Sequence, residues 1–177
     1  LQLGGRLADA VMIATYACPE GVQHALRQVG QGALQAGRRL VDVGLISRVD
    51  ACVWPDSRTA RDAVKPMIAG FLMSSYPDRG FVHQMGLDVP AELEDILKEQ
   101  NEARAYGAWQ LVPDDFVDAF TWAGTPDEVA DKVAEIIKLG ITQITYLPQP
   151  PRGYGVEPIM RAWMENVVPR VRRLVGE

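Results

Sequence analysis

Residues 125–147 constrain the fold more than any other stretch of the chain. Thr125 followed three residues later by Glu128 is a capping-box pattern: the hydroxyl accepts the Glu128 N–H and the carboxylate returns to the Thr125 N–H. Pro126 stands at the first helical position, where its missing N–H costs nothing, and Asp127 and Glu128 meet the positive end of the helix dipole. Val129, Val133, Ile136 and Ile137 recur at helical spacing and predict one buried face. Gly140 ends the helix, and Ile141–Leu147 changes to a two-residue period rich in β-branched and aromatic residues. A capped helix, a glycine and a short strand form the second half of a βαβ unit, which makes the fold class α/β.

The flanking sequence extends this pattern. Leu1–Ala8 reads as the end of a helix, and Asp9–Thr15 as a continuous apolar run suited to a parallel strand covered on both faces. Pro19 and Glu20 open a helix with Val22, Leu26, Val29, Ala33 and Ala36 inward, stopped at Gly37. Val41–Trp54 alternates, with Val43, Leu45, Val49, Ala51 and Val53 on one face and Arg48, Asp50 and Cys52 on the other. Pro55-Asp56-Ser57 turns into a helix carrying Ala60, Val64, Ile68, Phe71 and Leu72, which Pro66 is expected to kink. A short helical turn at Phe81–Met85, a helix from Pro90 to about Ala105 and a short helix in 112–120 fill the stretch before Thr125. After Leu147, Pro148–Gly155 is a loop by composition, and Val156–Val175 is a closing helix with Ile159, Trp163, Val167 and Val171 inward and Pro169 set against its last turn.

Three parallel strands, each followed by helical structure, are therefore expected, with a helical insertion between the second and third. A complete (β/α)₈ TIM barrel takes about 250 residues. The 177 residues here fit a single domain that is the second half of such a barrel. The chain opens inside a helical pattern without an initiator Met, as expected of a piece of a larger parent.

A net charge of −5 argues against a nucleic-acid partner, which would need a clustered positive field. Arg38-Arg39 and the group Arg170, Arg172 and Arg173 read as solvated helix ends. No apolar run approaches the ~20 residues of a membrane span. Cys18, Cys52, His24 and His83 give no metal-ligand spacing and no disulfide framework, so no metal is expected and a reduced cytoplasmic setting fits best. His24 reads as a surface residue, His83 lacks an acid at catalytic spacing, and Trp109, Trp122 and Trp163 read as packing. Met67, Met73, Met85, Met160 and Met164 read as gap-fillers of helical cores.

Leu7-Ala-Asp-Ala-Val-Met-Ile-Ala14, Asp118-Ala-Phe-Thr-Trp-Ala-Gly-Thr-Pro-Asp-Glu-Val129 and Leu139-Gly-Ile-Thr-Gln-Ile144 resemble the C-terminal half of the luciferase-like oxidoreductases. Leu111–Phe120 and Glu165–Arg170 add to the resemblance, which is strongest to the coenzyme F420-dependent methylenetetrahydromethanopterin reductase group. It implies a barrel in which coenzyme F420, or alternatively FMN, exchanges a hydride with a small organic substrate at the C-terminal mouth. It further implies that much of the catalytic apparatus, and the glycine-rich loop for the cofactor phosphate, lies upstream of residue 1, which leaves the catalytic residues unknown here. Thr15-Tyr-Ala-Cys-Pro19 has no lysine where sugar-phosphate-using relatives carry one, so glucose 6-phosphate is not the expected substrate. Two alternatives stand beside this enzyme: an FMN-dependent luciferase-like monooxygenase, and a non-catalytic half-barrel that forms a homo-oligomer or pairs with a separate N-terminal chain.

In a barrel, function sits in loops at the C-terminal strand ends. Three places qualify. Thr15, Tyr16 and Ala17, after the first strand, could meet the cofactor or simply form a polar turn. Arg48 and Asp50 share the polar inward face of the second strand, where a structural ion pair is the expected role. Gln149 and Arg152, after the last strand, lie where such barrels hold phosphate groups, though the composition favours a solvated loop. Gly4-Gly5, Gly30 and Gly32 lack the spacing of a dinucleotide fingerprint.

Overall fold

Alternation along one long strand organises the sheet. In the computed structural model, which describes residues 1–176, the chain runs α1 (Gln2–Leu7), β1 (Ala10–Ile13), α2 (Pro19–Gln35), β2 (Gly44–Val53), α3 (Ser57–Ser74), α4 (Gly80–His83), α5 (Ala91–Leu97), α6 (Glu102–Gly107), α7 (Asp114–Phe120), β3 (Thr121–Gly124), α8 (Pro126–Lys138), β4 (Gln143–Pro148), α9 (Glu157–Ala162) and α10 (Val168–Val175). On β2, Leu45, Ser47, Val49, Ala51 and Val53 are buried, while Ile46, Arg48 and Asp50 are half-buried on the other face.

All pairing is parallel. β1 runs beside β2 from Ala10 opposite Gly44 to Ile13 opposite Ser47. β4 runs beside it from Gln143 opposite Ile46 to Pro148 opposite Ala51. β3 pairs further along, from Thr121 opposite Asp50 to Gly124 opposite Val53. Ile46 and Ser47 are shared by β1 and β4, and Asp50 and Ala51 by β3 and β4. β4 therefore takes one edge of β2, and β1 and β3 follow one another along the opposite edge. The sheet has four strands but is three staves wide. The Ala17 N–H donates to the Ala119 carbonyl at 2.8 Å where one stave passes into the next. Among the described residues no strand pairs with the outer edge of β4 or of β1. On the half-open face Met12 is 49% exposed.

The capped helix forms as the sequence requires. The Thr125 N–H donates to Glu128 Oε2 at 2.7 Å and the Glu128 N–H donates to the Thr125 hydroxyl at 3.3 Å. Val129, Val133 and Ile136 are buried and Ile137 is half-buried. Trp122 stacks on Trp163 at a centroid distance of 6.1 Å, and Trp163 on Tyr146 at 4.1 Å, joining β3, the closing helix and β4. The Trp122 indole N–H finds the Ala17 carbonyl at 3.0 Å, which satisfies a fully buried donor.

Several local outcomes differ from expectation. β3 is an added strand, and β2 starts at Gly44 because Leu40–Asp42 takes a 3₁₀ turn. The helix expected from Pro90 to Ala105 is two, α5 and α6, parted where Gln100 adopts φ 51° and Asn101 caps the Arg104 N–H at 3.1 Å. α3 continues across Pro66, whose missing N–H leaves the Asp62 carbonyl without its helical partner. The closing helix absorbs Pro169 differently, by a π-turn at Trp163–Val167 in which the Val168 N–H reaches back to the Trp163 carbonyl. Its predicted inward residues Ile159, Trp163, Val167 and Val171 are all buried, whereas Met160 and Met164 are exposed rather than gap-filling. Arg38 is no solvated helix end: it donates to the Gly5 carbonyl at 3.2 Å and the Ala8 carbonyl at 2.8 Å, closing the C-terminus of α1.

Candidate active site

A cavity of about 440 Å³ opens beside the C-terminal ends of β1 and β2. Each wall has a separate origin. Thr15 comes from the turn after β1, and Arg48 and Asp50 from the half-buried face of β2. α3 supplies Phe71 and Ser74, α6 supplies Glu102 and Tyr106, and the end of α7 supplies Phe120. Phe120 is the hub of an aromatic cluster, with centroids 6.1 Å from Phe71, 5.7 Å from Phe81, 5.9 Å from Phe116 and 6.4 Å from Tyr16. Gly70 matters for shape. A Cβ there would lie 3.0 Å from Tyr106 Cζ and Oη, so the glycine lets the phenol rest close against α3, and a larger residue would make the ring give by a few tenths of an ångström.

The three candidate places fare differently. Thr15, Arg48 and Asp50 line the one cavity. Gln149 joins them indirectly, since its amide Nε2 donates to Asp50 Oδ1 at 2.7 Å. The expected Arg48–Asp50 ion pair does not form, because Asp50 is held by Gln149 and no carboxylate lies within 4.0 Å of Arg48 among the described residues. Tyr16 turns into the core, 6% exposed, covering Gly21, where a Cβ would meet its Cγ at 2.5 Å. Ala17 has both backbone groups spent, on Ala119 and Trp122. Arg152 is exposed and away from the cavity. Sequence reasoning missed Ser74, Glu102 and Tyr106, which reach the site only because the excursion between β2 and β3 folds back over the strand ends. Gly70, a helix-weakening glycine in the middle of α3, was the one available signal.

The electrostatics do not favour a thiol nucleophile. Burial, above all, pushes the Cys18 thiol up, and burial pushes Cys52 up to about 12. Burial likewise raises the Tyr16 hydroxyl, with the neighbouring Cys18 charge adding to it. His24 is half-buried edge-on to Tyr16 at 6.2 Å, not free on the surface. His83 does have an acid nearby, Asp88 at 3.5 Å, but both side chains are exposed and neither lines the cavity. No group of three or more His, Cys, Asp or Glu among the described residues is arranged to hold a metal ion. No helix among them is long and apolar enough to cross a membrane.

Comparison with known proteins identifies the family and the fold. The profile described as luciferase-like monooxygenase matches residues 1–143. The 5,10-methylenetetrahydromethanopterin reductase of Methanopyrus kandleri is 31% identical over 144 residues, covering 81% of this chain and 40% of that protein. The Methanolobus tindarius protein of the same name is 29% identical over 147 residues, covering 81% of this chain and 43% of its own length. The solved coenzyme F420-dependent tetrahydromethanopterin reductase from Methanopyrus kandleri superposes with a TM-score of 0.79 at 27% identity, over 96% of this chain and 47% of that one. An F420-dependent secondary alcohol dehydrogenase, solved with an F420-acetone adduct, shares the fold at a TM-score of 0.69 and 19% identity, over 97% of this chain and 45% of that one. The chain spans less than half the length of these relatives.

Proposed function

This chain belongs to the luciferase-like monooxygenase family, and on that premise we propose that it forms the second half of an F420-dependent oxidoreductase barrel of the methylenetetrahydromethanopterin reductase kind. The observation that carries the proposal is one cavity, at the C-terminal strand ends, joining a polar strand face to an aromatic wall. A flat heterocycle fits such a wall, and the volume is within the range of ligand sites, about 300–1,000 Å³. When bound, F420 supplies the hydride chemistry. The protein's part is positional: Phe71, Phe120 and Tyr106 exclude water from one side, while Thr15 and Arg48 orient the ligand. Asp50, held by Gln149, fixes the loop after β4 against β2. Tyr16 and Ala17 act by packing the turn that presents Thr15. The exposed Arg152 remains a candidate for a phosphate group at the loop's outer side.

Titrating F420 into the full-length protein, with FMN in a parallel arm, while following cofactor fluorescence tests this. Saturable quenching by F420 is expected. Saturation with FMN alone would instead favour a flavin-dependent monooxygenase, and no binding of either would overturn the proposal. A second arrangement is favoured by the bare outer edges of β4 and β1, since unpaired strand edges recruit further strands. In it the chain is a non-catalytic half-barrel completed by a second copy or by a separate N-terminal chain, and neither cofactor binds in the same titration. A small-molecule substrate and a cytoplasmic setting, where free Cys18 and Cys52 stay reduced, complete the proposal.

A further inference from the structure

Five arginines are half-buried: Arg38, Arg48, Arg61, Arg79 and Arg170. Four of them are satisfied by the protein. Arg38 binds the Gly5 and Ala8 carbonyls, Arg61 binds Asp118, Arg79 binds Glu94 and the Leu72 carbonyl, and Arg170 binds Asp131. Arg48 is the exception. Among the described residues it has neither a carboxylate within 4.0 Å nor a hydrogen-bond acceptor, yet it lines the cavity beside β2. Its nearest acidic neighbour along the same strand face, Asp50, is taken by the Gln149 amide at 2.7 Å.

A half-buried guanidinium with no partner in its own chain leaves its donors to water or to a group from outside, and it is free to bind an incoming anion. Two further cavity residues, Thr15 and Tyr106, have hydroxyls that make no hydrogen bond among the described residues. Resting on the reading of this cavity as the ligand site, we propose that Arg48 anchors an oxyanion of the ligand, a carboxylate or a phosphate, with the Thr15 and Tyr106 hydroxyls completing its shell. The planar fork of arginine matches both groups in bidentate fashion, which lysine cannot reproduce. Glu102 at the cavity rim and Asp50 in its wall oppose a dense cluster of negative charge, so a single oxyanion group is the form that fits.

The test is an amide NMR titration of the isotopically labelled chain with acetate and, separately, inorganic phosphate at constant ionic strength, with no F420 or FMN present. Saturable shifts of the Thr15 and Gly70 amides are expected, with the more strongly bound anion identifying the group. In Arg48→Gln the apparent affinity falls about tenfold or more, in Arg48→Lys it falls by less, and in Arg6→Gln, an exposed site on α1, it is unchanged. Circular dichroism of each variant establishes that the fold is kept, and Arg48→Lys still reads the effect if Arg48→Gln does not fold. No saturable shift with either anion, or undiminished shifts in both Arg48 variants, would overturn the inference. F420 binding without anion binding would sink the Arg48 anchor alone. Anion binding without F420 or FMN binding would sink the cofactor assignment and leave the anchor standing.

Discussion

Single side chains hold this molecule together by meeting needs that only one neighbour can meet. Trp122 is fully buried, and its indole N–H has one acceptor, the Ala17 carbonyl at 3.0 Å. Trp122→Phe keeps most of the ring packing against Trp163 but strands that carbonyl, which costs about 1–3 kcal/mol. For a chain of this size the melting temperature should fall by about 3–10 °C, measured by thermal circular dichroism. An unchanged melting temperature would show that water replaces the indole. The same bond fixes the turn carrying Thr15, so the position of a cavity residue depends on a side chain more than a hundred positions away in sequence.

Between elements, α1 and α2 approach closely, glycine against carbonyl. A Cβ at Gly5 would lie 2.1 Å from the Val29 carbonyl oxygen, and one at Gly32 would lie 1.9 Å from that of Gln2. Gly32→Ala must therefore push the helices apart, at about 1–3 kcal/mol, and α1 amides should exchange with solvent faster while β2 amides do not. Equal exchange along α1 in both proteins would contradict this. Elements of this kind were unevenly legible in the sequence. The Thr125 cap, the buried stripe Ile159, Trp163, Val167 and Val171, and the alternation of β2 follow from local periodicity and needed no tertiary context. β3 was not legible: Thr121–Gly124 follows Phe120 with no breaker, is buried at every position and so shows no alternation. The break between α5 and α6 was hidden because Gln100, not glycine, takes the positive φ. In the site, Thr15, Arg48, Asp50 and Gln149 could be found because they are polar residues at strand ends. Ser74, Glu102 and Tyr106 could not, because their place depends on how a long excursion folds back.

Across the whole molecule, charge holds that excursion down. Arg61 of α3 donates to both Asp118 oxygens of α7, at 2.8 and 3.0 Å, and Lys132 of α8 donates to Asp118 Oδ1 at 2.8 Å. The buried Lys65 of α3 meets Asp114 of α7 at 2.6 Å. Arg61 chiefly, then Lys132, holds the Asp118 carboxyl down at about 2 against an ordinary 3.8. A lowered folded value means stabilisation present above pH ~4 and lost as pH falls towards 2. Because 54% of the Asp118 side chain is exposed, solvent screening limits this to about 1 kcal/mol. Denaturation by urea should find Asp118→Asn less stable than the native protein at pH 6, with the gap closing between pH 4 and pH 2. A gap that stays constant with pH would remove the ion pairs as its cause. The shared edge of β2 carries a further consequence. Residues 54–120 leave the sheet after Val53 and re-enter it at Thr121, and the Trp54 N–H donates to the Gly124 carbonyl at 3.1 Å across that junction. Departure and return are stitched side by side, with α3 and α7 packed on the sheet, so the stretch between them, residues 75–113, behaves as an exchangeable cassette on a closed collar. Lengthening or swapping it reshapes one wall of the cavity while the barrel staves keep their register, and this gives evolution or an engineer a place to change ligand preference without rebuilding the frame.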